Sequence, residues 1–235
     1  GKGPLKAEQA HAVKTRTRPA WIRFSPDGKR LAYGGSDGRI YRIDVESGEH
    51  IPVVEENRSP VQAAATDDSG SVVVTGHTGG GVKLWDAATG RLTRSLRVST
   101  NAAMCVAVSG EGRYAAAAQN NLVTVWNLTD FKSKPVSTKI DGVARALAFD
   151  SRGRLLVVPD KGSEVIVEPE SGSLSRSGGS WKDVAKDVAI SPDGRLIARL
   201  EQFRLTFVDV ANAMPLGTVE ANMGRNRRGK IHNAG

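Results

Sequence analysis

Apolar residues in this chain come in short runs separated by polar breaks that carry glycine. In the stretch GVKLWDAATGRL, Gly81 to Leu92, the residues Val82, Leu84 and Asp86 alternate with Lys83 and Trp85. That is the period-two signature of a strand whose two faces meet different surroundings. Ala-Ala-Thr-Gly then reads as a tight turn, with Gly90 available for positive φ. The fragment is thus a strand and half of a hairpin, and its meaning depends on whether it recurs.

It recurs. Polar turn signals end at Gly28, Gly70, Gly112, Gly153 and Gly194, with spacings of 42, 42, 41 and 41 residues. The Trp85 position follows the same period through Ile43, Trp85, Trp126, Val167 and Val208, each followed by an acid or amide: Asp44, Asp86, Asn127, Glu168 and Asp209. Each unit offers a short apolar strand, the glycine turn, a second strand such as SVVVTGH or RYAAAAQ, the strand ending at the Trp position, and a more polar fourth strand. Four strands in about 41 residues predict a four-stranded antiparallel sheet. One such sheet cannot cover both of its faces, so the units must stack, and radial stacking into an all-β propeller leaves only short edges.

The segments AWIRFSPDGKRLAYGGSDGRIYRIDVESG and VVVTGHTGGGVKLWDAATGRLTRSL resemble WD40 repeats. The resemblance runs from residue 20 to about 221 over five units and implies a β-propeller in which the Trp packs between blades and the acid caps a turn. SPDGKRLAY also resembles the propellers of TolB-like proteins and peptidases. Two departures stand out: the Gly-His dipeptide that usually opens a unit is absent, with His77 placed between second and third strands, and the fourth unit lacks a Trp. The family's hydrogen-bonded His, Ser/Thr, Trp and Asp network is therefore not expected. WD40 propellers usually close with seven blades. Five visible repeats fit a five-bladed ring, an open array completed by a partner, or part of a larger seven-bladed propeller. Residues 1–18 form a basic segment in which HAVKTRT reads as a closing fourth strand, 19–221 the repeats, and 222–235 a basic tail.

Charge changes this picture little. The net charge is +8, with five Lys/Arg against Glu8 in residues 1–18 and four with no acid in 222–235, so the body holds 24 basic and 24 acidic residues. Arg225, Arg227, Arg228 and Lys230 in the tail are candidates for phosphate contact, which is salt-sensitive. No aromatic residue interleaves with them to stack on bases. No apolar run reaches the roughly 18 residues of a membrane span, and no partnership with a membrane is expected.

Local chemistry is sparse. The four His residues stand apart from one another and from Cys105, with no metal-ligand spacing, so neither metal nor cofactor is expected. GHTGGGVK lacks Walker spacing and leads into a strand, no G-x-S-x-G elbow occurs, and Cys105 in AAMCVAV reads as a buried structural thiol. Acids fall at turn positions repeated in every unit, which is turn chemistry rather than catalysis. The expectation is a non-catalytic, cytoplasmic scaffold or sensor that binds a protein, or another domain of its own polypeptide, through its loop face. The candidate contacts are Arg58, His77, Trp181, Lys182 and Phe203, since Trp and Arg dominate interface hot spots. The alternatives are a propeller gating a separate peptidase-like catalytic domain and a ribonucleoprotein component that binds nucleic acid through the basic tails.

Overall fold

The structure is a computed structural model of the 235-residue chain. It describes residues 12–25, 28–35, 37, 39–51, 59–97, 103–176, 185, 187–191, 194–201, 204–210 and 214–220. Among these there is no helix, and every strand belongs to one of five four-stranded antiparallel sheets. The first sheet joins β1 (Pro19–Phe24), β2 (Arg30–Gly35), β3 (Ile40–Asp44) and β4 (His50–Ile51), and the second joins β5 (Val61–Thr66), β6 (Val72–His77), β7 (Gly81–Asp86) and β8 (Leu92–Arg97). The third holds β9 (Cys105–Val108), β10 (Tyr114–Gln119), β11 (Leu122–Asn127) and β12 (Val136–Lys139), and the fourth β13 (Ala144–Phe149), β14 (Leu155–Pro159), β15 (Val165–Val167) and β16 (Leu174–Arg176). The fifth is β17 (Asp187–Ile190), β18 (Leu196–Leu200), β19 (Arg204–Asp209) and β20 (Met214–Glu220). Strand order equals chain order in every sheet, so each sequence repeat is one blade.

The turn signals do what their spacing predicts. Gly28, Gly70, Gly112, Gly153 and Gly194 all have φ between 65° and 77°, and each donates its N–H to the carbonyl three residues earlier. A left-handed residue closing such a turn matches the right-handed twist of the flanking strands. After the third strand, the Asp44 carboxylate accepts from the Ser47 N–H at 2.9 Å, Asp86 from Thr89 N–H at 2.7 Å, and the Asn127 carbonyl from Thr129 N–H at 2.9 Å. These turn N–H groups, helped by the Ser47 and Thr89 hydroxyls, hold the Asp44 and Asp86 carboxyls below the usual carboxylate range. The acid after the Trp position is a turn cap.

Packing follows from the alternation. In blade 3, Val106, Val108, Ala115, Ala117 and Trp126 face blade 2 and share a core with Val74, Val82 and Leu84. The opposite face, with Tyr114, Ala116, Ala118, Val123 and Val125, meets Phe149, Leu155, Val157 and Val167 of blade 4. The first strands β1, β5, β9, β13 and β17 pack as successive neighbours, while among the described residues no comparable packing joins β17 to β1. A cavity of about 990 Å³ opens at the centre, lined by Phe24, by residues 64–68, 106–111 and 147–153, and by Arg113 and Tyr114. Residues of the glycine turns are part of this lining, and because the strands are antiparallel in chain order the second-to-third-strand turns and the blade-to-blade links lie at the opposite end of the sheets.

Of the N-terminal segment, residues 12–18 are described. Residues 12–18 are not part of any sheet. Val13 packs on Tyr33, Tyr41, Ile43 and Leu31 of blade 1, the Arg16 N–H donates to the Tyr33 hydroxyl at 3.1 Å, and the Lys14 carbonyl meets His50 Nε2 at 3.3 Å. The fourth strand of the fifth sheet is β20, which follows its own third strand in sequence.

Blades 2 and 3 approach closely where small residues meet. A Cβ added to Gly76 would lie 2.7 Å from the Ala103 carbonyl oxygen and 2.9 Å from Val106. Gly76→Ala is expected to destabilise the protein by about 1–3 kcal/mol through overpacking against backbone, read as a lower midpoint in urea unfolding with an unchanged slope.

Candidate protein-interaction face

Of the residues singled out in the sequence, only His77 is described. Arg58, Trp181, Lys182, Phe203, Arg225, Arg227, Arg228 and Lys230 lie outside the described residues. His77 is corrected: it ends β6 and is 1% exposed, so its ring serves the interior and presents no surface for a partner.

The ring completes a network that the missing Gly-His dipeptide had spoken against. Trp85 Nε1–H donates to Thr75 Oγ1 at 2.7 Å, Thr75 Oγ1 meets His77 Nε2 at 2.8 Å, and His77 Nδ1 meets the Ser59 carbonyl at 2.9 Å. A carbonyl only accepts, so Nδ1 carries the proton. In the neutral ring Nε2 is then an acceptor, and the Thr75 hydroxyl donates to it. One order of protons satisfies all three contacts. The expectation that the His, Thr and Trp of this chain build no network is overturned, because the histidine arrives from the end of the second strand instead of from the start of the repeat. Burial is the main cause that lowers the His77 pKa, and Lys83 acts in the same direction.

What the network holds is the base of a link between blades. Besides the His77 contact, the Thr78 N–H donates to the Pro60 carbonyl at 3.0 Å, and the Ser59 hydroxyl donates to the Thr78 carbonyl at 2.7 Å. Later blades repeat the device with other side chains: Asp160 accepts from the Val143 N–H at 2.9 Å and donates its own N–H to the Val143 carbonyl. A third bond ties each strand end forward to the next blade. Ala103 N–H donates to the His77 carbonyl, Ala144 N–H to Asn120 and Ala185 N–H to Asp160. Those three alanines are 41 residues apart and all buried. The described ends of the links, where the chain enters each of these blades, are therefore held by hydrogen bonds to neighbouring strand ends.

One pair of residues on this face was not singled out in the sequence. Arg199 and Glu164 are both fully buried, 4.0 Å apart between blades 5 and 4, and Arg199 Nη1–H donates to the Pro159 carbonyl at 3.4 Å. Burial lowers the Arg199 pKa, opposed by Glu164, Glu201 and Asp160. By strand register Arg199 stands where Thr75, Ala117 and Val157 stand in blades 2, 3 and 4. The available signal was a cation in the middle of the apolar run LIARL. Elsewhere burial pushes the Cys105 thiol up to about 11. Among the described residues no group of three or more His, Cys, Asp or Glu is placed to hold a metal ion, and no helix is long and apolar enough to cross a membrane.

Two outcomes follow. A histidine held neutral by the fold binds fewer protons than in the unfolded chain, so stability is full above about pH 6.5 and falls as pH drops from there toward the lower folded-state value, by up to about 1.4 kcal/mol per unit. His77→Gln is expected to flatten that part of the stability profile in urea titrations from pH 7.5 to 5. Glu164→Ala leaves the Arg199 charge buried opposite a void and is expected to cost about 3–5 kcal/mol in the same assay, against a much smaller cost when Arg199→Met accompanies it.

No protein-family model matches the chain. Over 92 residues it is 35% identical to the Angio-associated migratory cell protein of Pongo abelii and 34% to that of Homo sapiens, which is 38% of this chain and 21% of those proteins. The chain thus spans about a fifth of the curated relatives it matches. Among solved structures it is similar to U3-55K (TM-score 0.74, 16% identity, 88% of this chain and 65% of that one) and to the RRP9 WD40 repeats (0.75, 15%, 88% and 64%). It is also similar to the β-propeller domain of Myceliophteria thermophila Cps50 (Swd1) (0.74, 15%, 91% and 75%). The chain has the fold of the WD40-repeat β-propellers, the family its repeats resemble.

Proposed function

We propose that this chain is a non-catalytic, cytoplasmic scaffold or sensor domain that binds a protein partner, or another domain of its own polypeptide, through the loop face. The observation that carries this reading is the repeated pinning of the blade-to-blade links: Ser59 and Pro60 on His77 and Thr78, Val143 on Asp160, and Ala103, Ala144 and Ala185 on the preceding strand ends. Loops displayed on a rigid scaffold are where recognition is commonly placed, and a pinned loop loses less freedom when it binds. The links at 52–58 and 177–184 hold Arg58, Trp181 and Lys182, and the turn of blade 5 holds Phe203. Trp181 and Phe203 act as the anchors.

The test is affinity capture from extract of the cells that make the protein, in parallel with and without nuclease, followed by titration of the captured partner. Trp181→Ala and Phe203→Ala are each expected to weaken binding about tenfold or more, at least about 1.4 kcal/mol, while a triple Arg225, Arg227 and Arg228 to Gln variant binds as before. Capture that disappears with nuclease, or that follows the tail arginines and not the two aromatics, makes the tails the binding element and defeats the reading.

A further inference from the structure

The outer groove between blades 2 and 3 is cationic and carries an exposed aromatic ring. β8 and β12 are the outermost strands of their sheets, and register decides which side chains line the groove. Thr93 is the extra residue of a bulge between β7 and β8, its hydroxyl donating to the Leu84 carbonyl at 3.0 Å, so Arg94 falls opposite Leu84 on the face turned to blade 3. Lys139 pairs with Leu122, on the face of blade 3 that carries Trp126 and is turned to blade 2. The connection from β11 to β12 spans residues 128–135, where the other blades use only 45–49, 87–91, 168–173 and 210–213. This longer loop is held by its own hydrogen bonds. The Asn127 side-chain carbonyl accepts from the Thr129 and Asp130 N–H groups, the Asp130 carboxylate from the Lys132 N–H, and the Asp130 carbonyl from the Ser133 hydroxyl at 2.6 Å. It lays Phe131 against Arg94, whose Cζ is 3.1 Å from the ring centroid.

Phe131 is 43% exposed, and Arg94, Lys132, Lys134 and Lys139 are all exposed. Among the described residues no carboxylate pairs with any of these four cations. Residues 91–97 and 128–139 add Arg91 and Arg97 to them and hold Asp130 as their one acid, although the body of the chain as a whole is neutral. We infer that this groove is a binding site for single-stranded nucleic acid, in which Phe131 stacks on a base and Arg94, Lys132, Lys134 and Lys139 meet phosphates along the strand. A guanidinium lying on one face of a ring keeps its N–H edge for phosphate and leaves the other face of the ring for a base. The cations do not converge on one point. Leu84 and Val125 hold the same repeat position, so Arg94 and Lys139 stand about 10 Å apart along the strands, and the loop lysines lie at one end of the groove. That spread fits a chain of repeated anions better than a single phosphate group. A basic groove with an exposed aromatic is the combination that holds single strands with little regard to sequence, and the tail from Arg225 to Lys230 has no aromatic.

The test is a fluorescence anisotropy titration of the purified 235-residue chain with a labelled oligouridylate of about 12 nucleotides, repeated between about 50 and 200 mM KCl. Four phosphate contacts predict a slope of log K against log salt of about −3. Lys134→Gln and Lys139→Gln are each expected to reduce that slope by about 0.7. Phe131→Ala weakens binding about tenfold at every salt concentration, because stacking releases no counterions, and Phe131→Trp restores it. These side chains are exposed, so every variant keeps the urea midpoint of the parent. A chain with Arg225, Arg227, Arg228 and Lys230 changed to Gln shows the Phe131 effect in full, and a duplex of the same length, whose bases are already stacked on one another, competes poorly. Loss of binding in that tail variant, or a Phe131→Ala chain that binds as tightly as the parent, overturns the inference. So does polyglutamate that displaces the oligonucleotide equally well at matched charge, which makes the groove a surface for acidic protein segments. The titration contains no other protein, so its outcome is independent of the partner proposed for the loop face.

Discussion

Each sheet in this protein has two apolar faces, and neither can be left to water. An isolated four-stranded sheet of this composition would expose Val74, Val82 and Leu84 on one side and Val73 and Trp85 on the other, all buried here. Burial of such side chains is worth about 1.5–3 kcal/mol each, and the neighbouring blade supplies it. The stability of any one repeat is therefore held jointly with its neighbours, in the nearly one-dimensional manner of repeat proteins. The same constraint explains the small residues at the closest approaches. Gly76 faces the Ala103 carbonyl at the entry to blade 3, at a distance that a side chain would violate. It also explains why Val13 lies on Tyr33 and Tyr41 where blade 1 has no preceding sheet against it.

A single repeat position shows how far the side chains vary while the constraint stays fixed. Tyr33, Thr75, Ala117, Val157 and Arg199 occupy it in successive blades, and all five are buried. Thr75 is polar and serves the Trp85 and His77 network. Arg199 is charged and reaches Glu164 and the Pro159 carbonyl across the blade junction. Ala117 and Val157 fill the space with carbon alone. A buried hydroxyl or guanidinium costs free energy unless its hydrogen bonds are met, so each polar choice at this position brings its partners with it. The polar solutions tie a strand end to an adjacent link or blade, which orients the loop face as well as filling the core.

Much of this was legible in the sequence. The 41-residue period, the glycine turns, the third-strand acids and the burial of Trp85 and Trp126 follow from residue type and spacing, because turns and two-sided strands impose local rules. Partnerships across strands did not follow. His77 read as a loop residue because it borders HTGGG, yet register puts it at the last paired position of β6, opposite Val61. The network was set aside because its histidine was sought at the start of the repeat. Three-dimensional proximity, here Thr75 and His77 two residues apart on one face and Trp85 on the adjacent strand, supplies it from another place.

The distribution of order across the molecule bears on function. One end of the sheets is closed by five hairpin turns that share one glycine geometry and vary little in length. The other end holds links that differ in length and residue content from blade to blade, while their bases are fixed by hydrogen bonds that recur in register. Uniform turns satisfy the backbone and require little else of the sequence. Variable links with fixed bases let side chains change at their tips without moving the strands that carry them. The precision with which the bases of these links are placed therefore comes from the blade junctions, through the contacts at His77, Asp160 and Arg199.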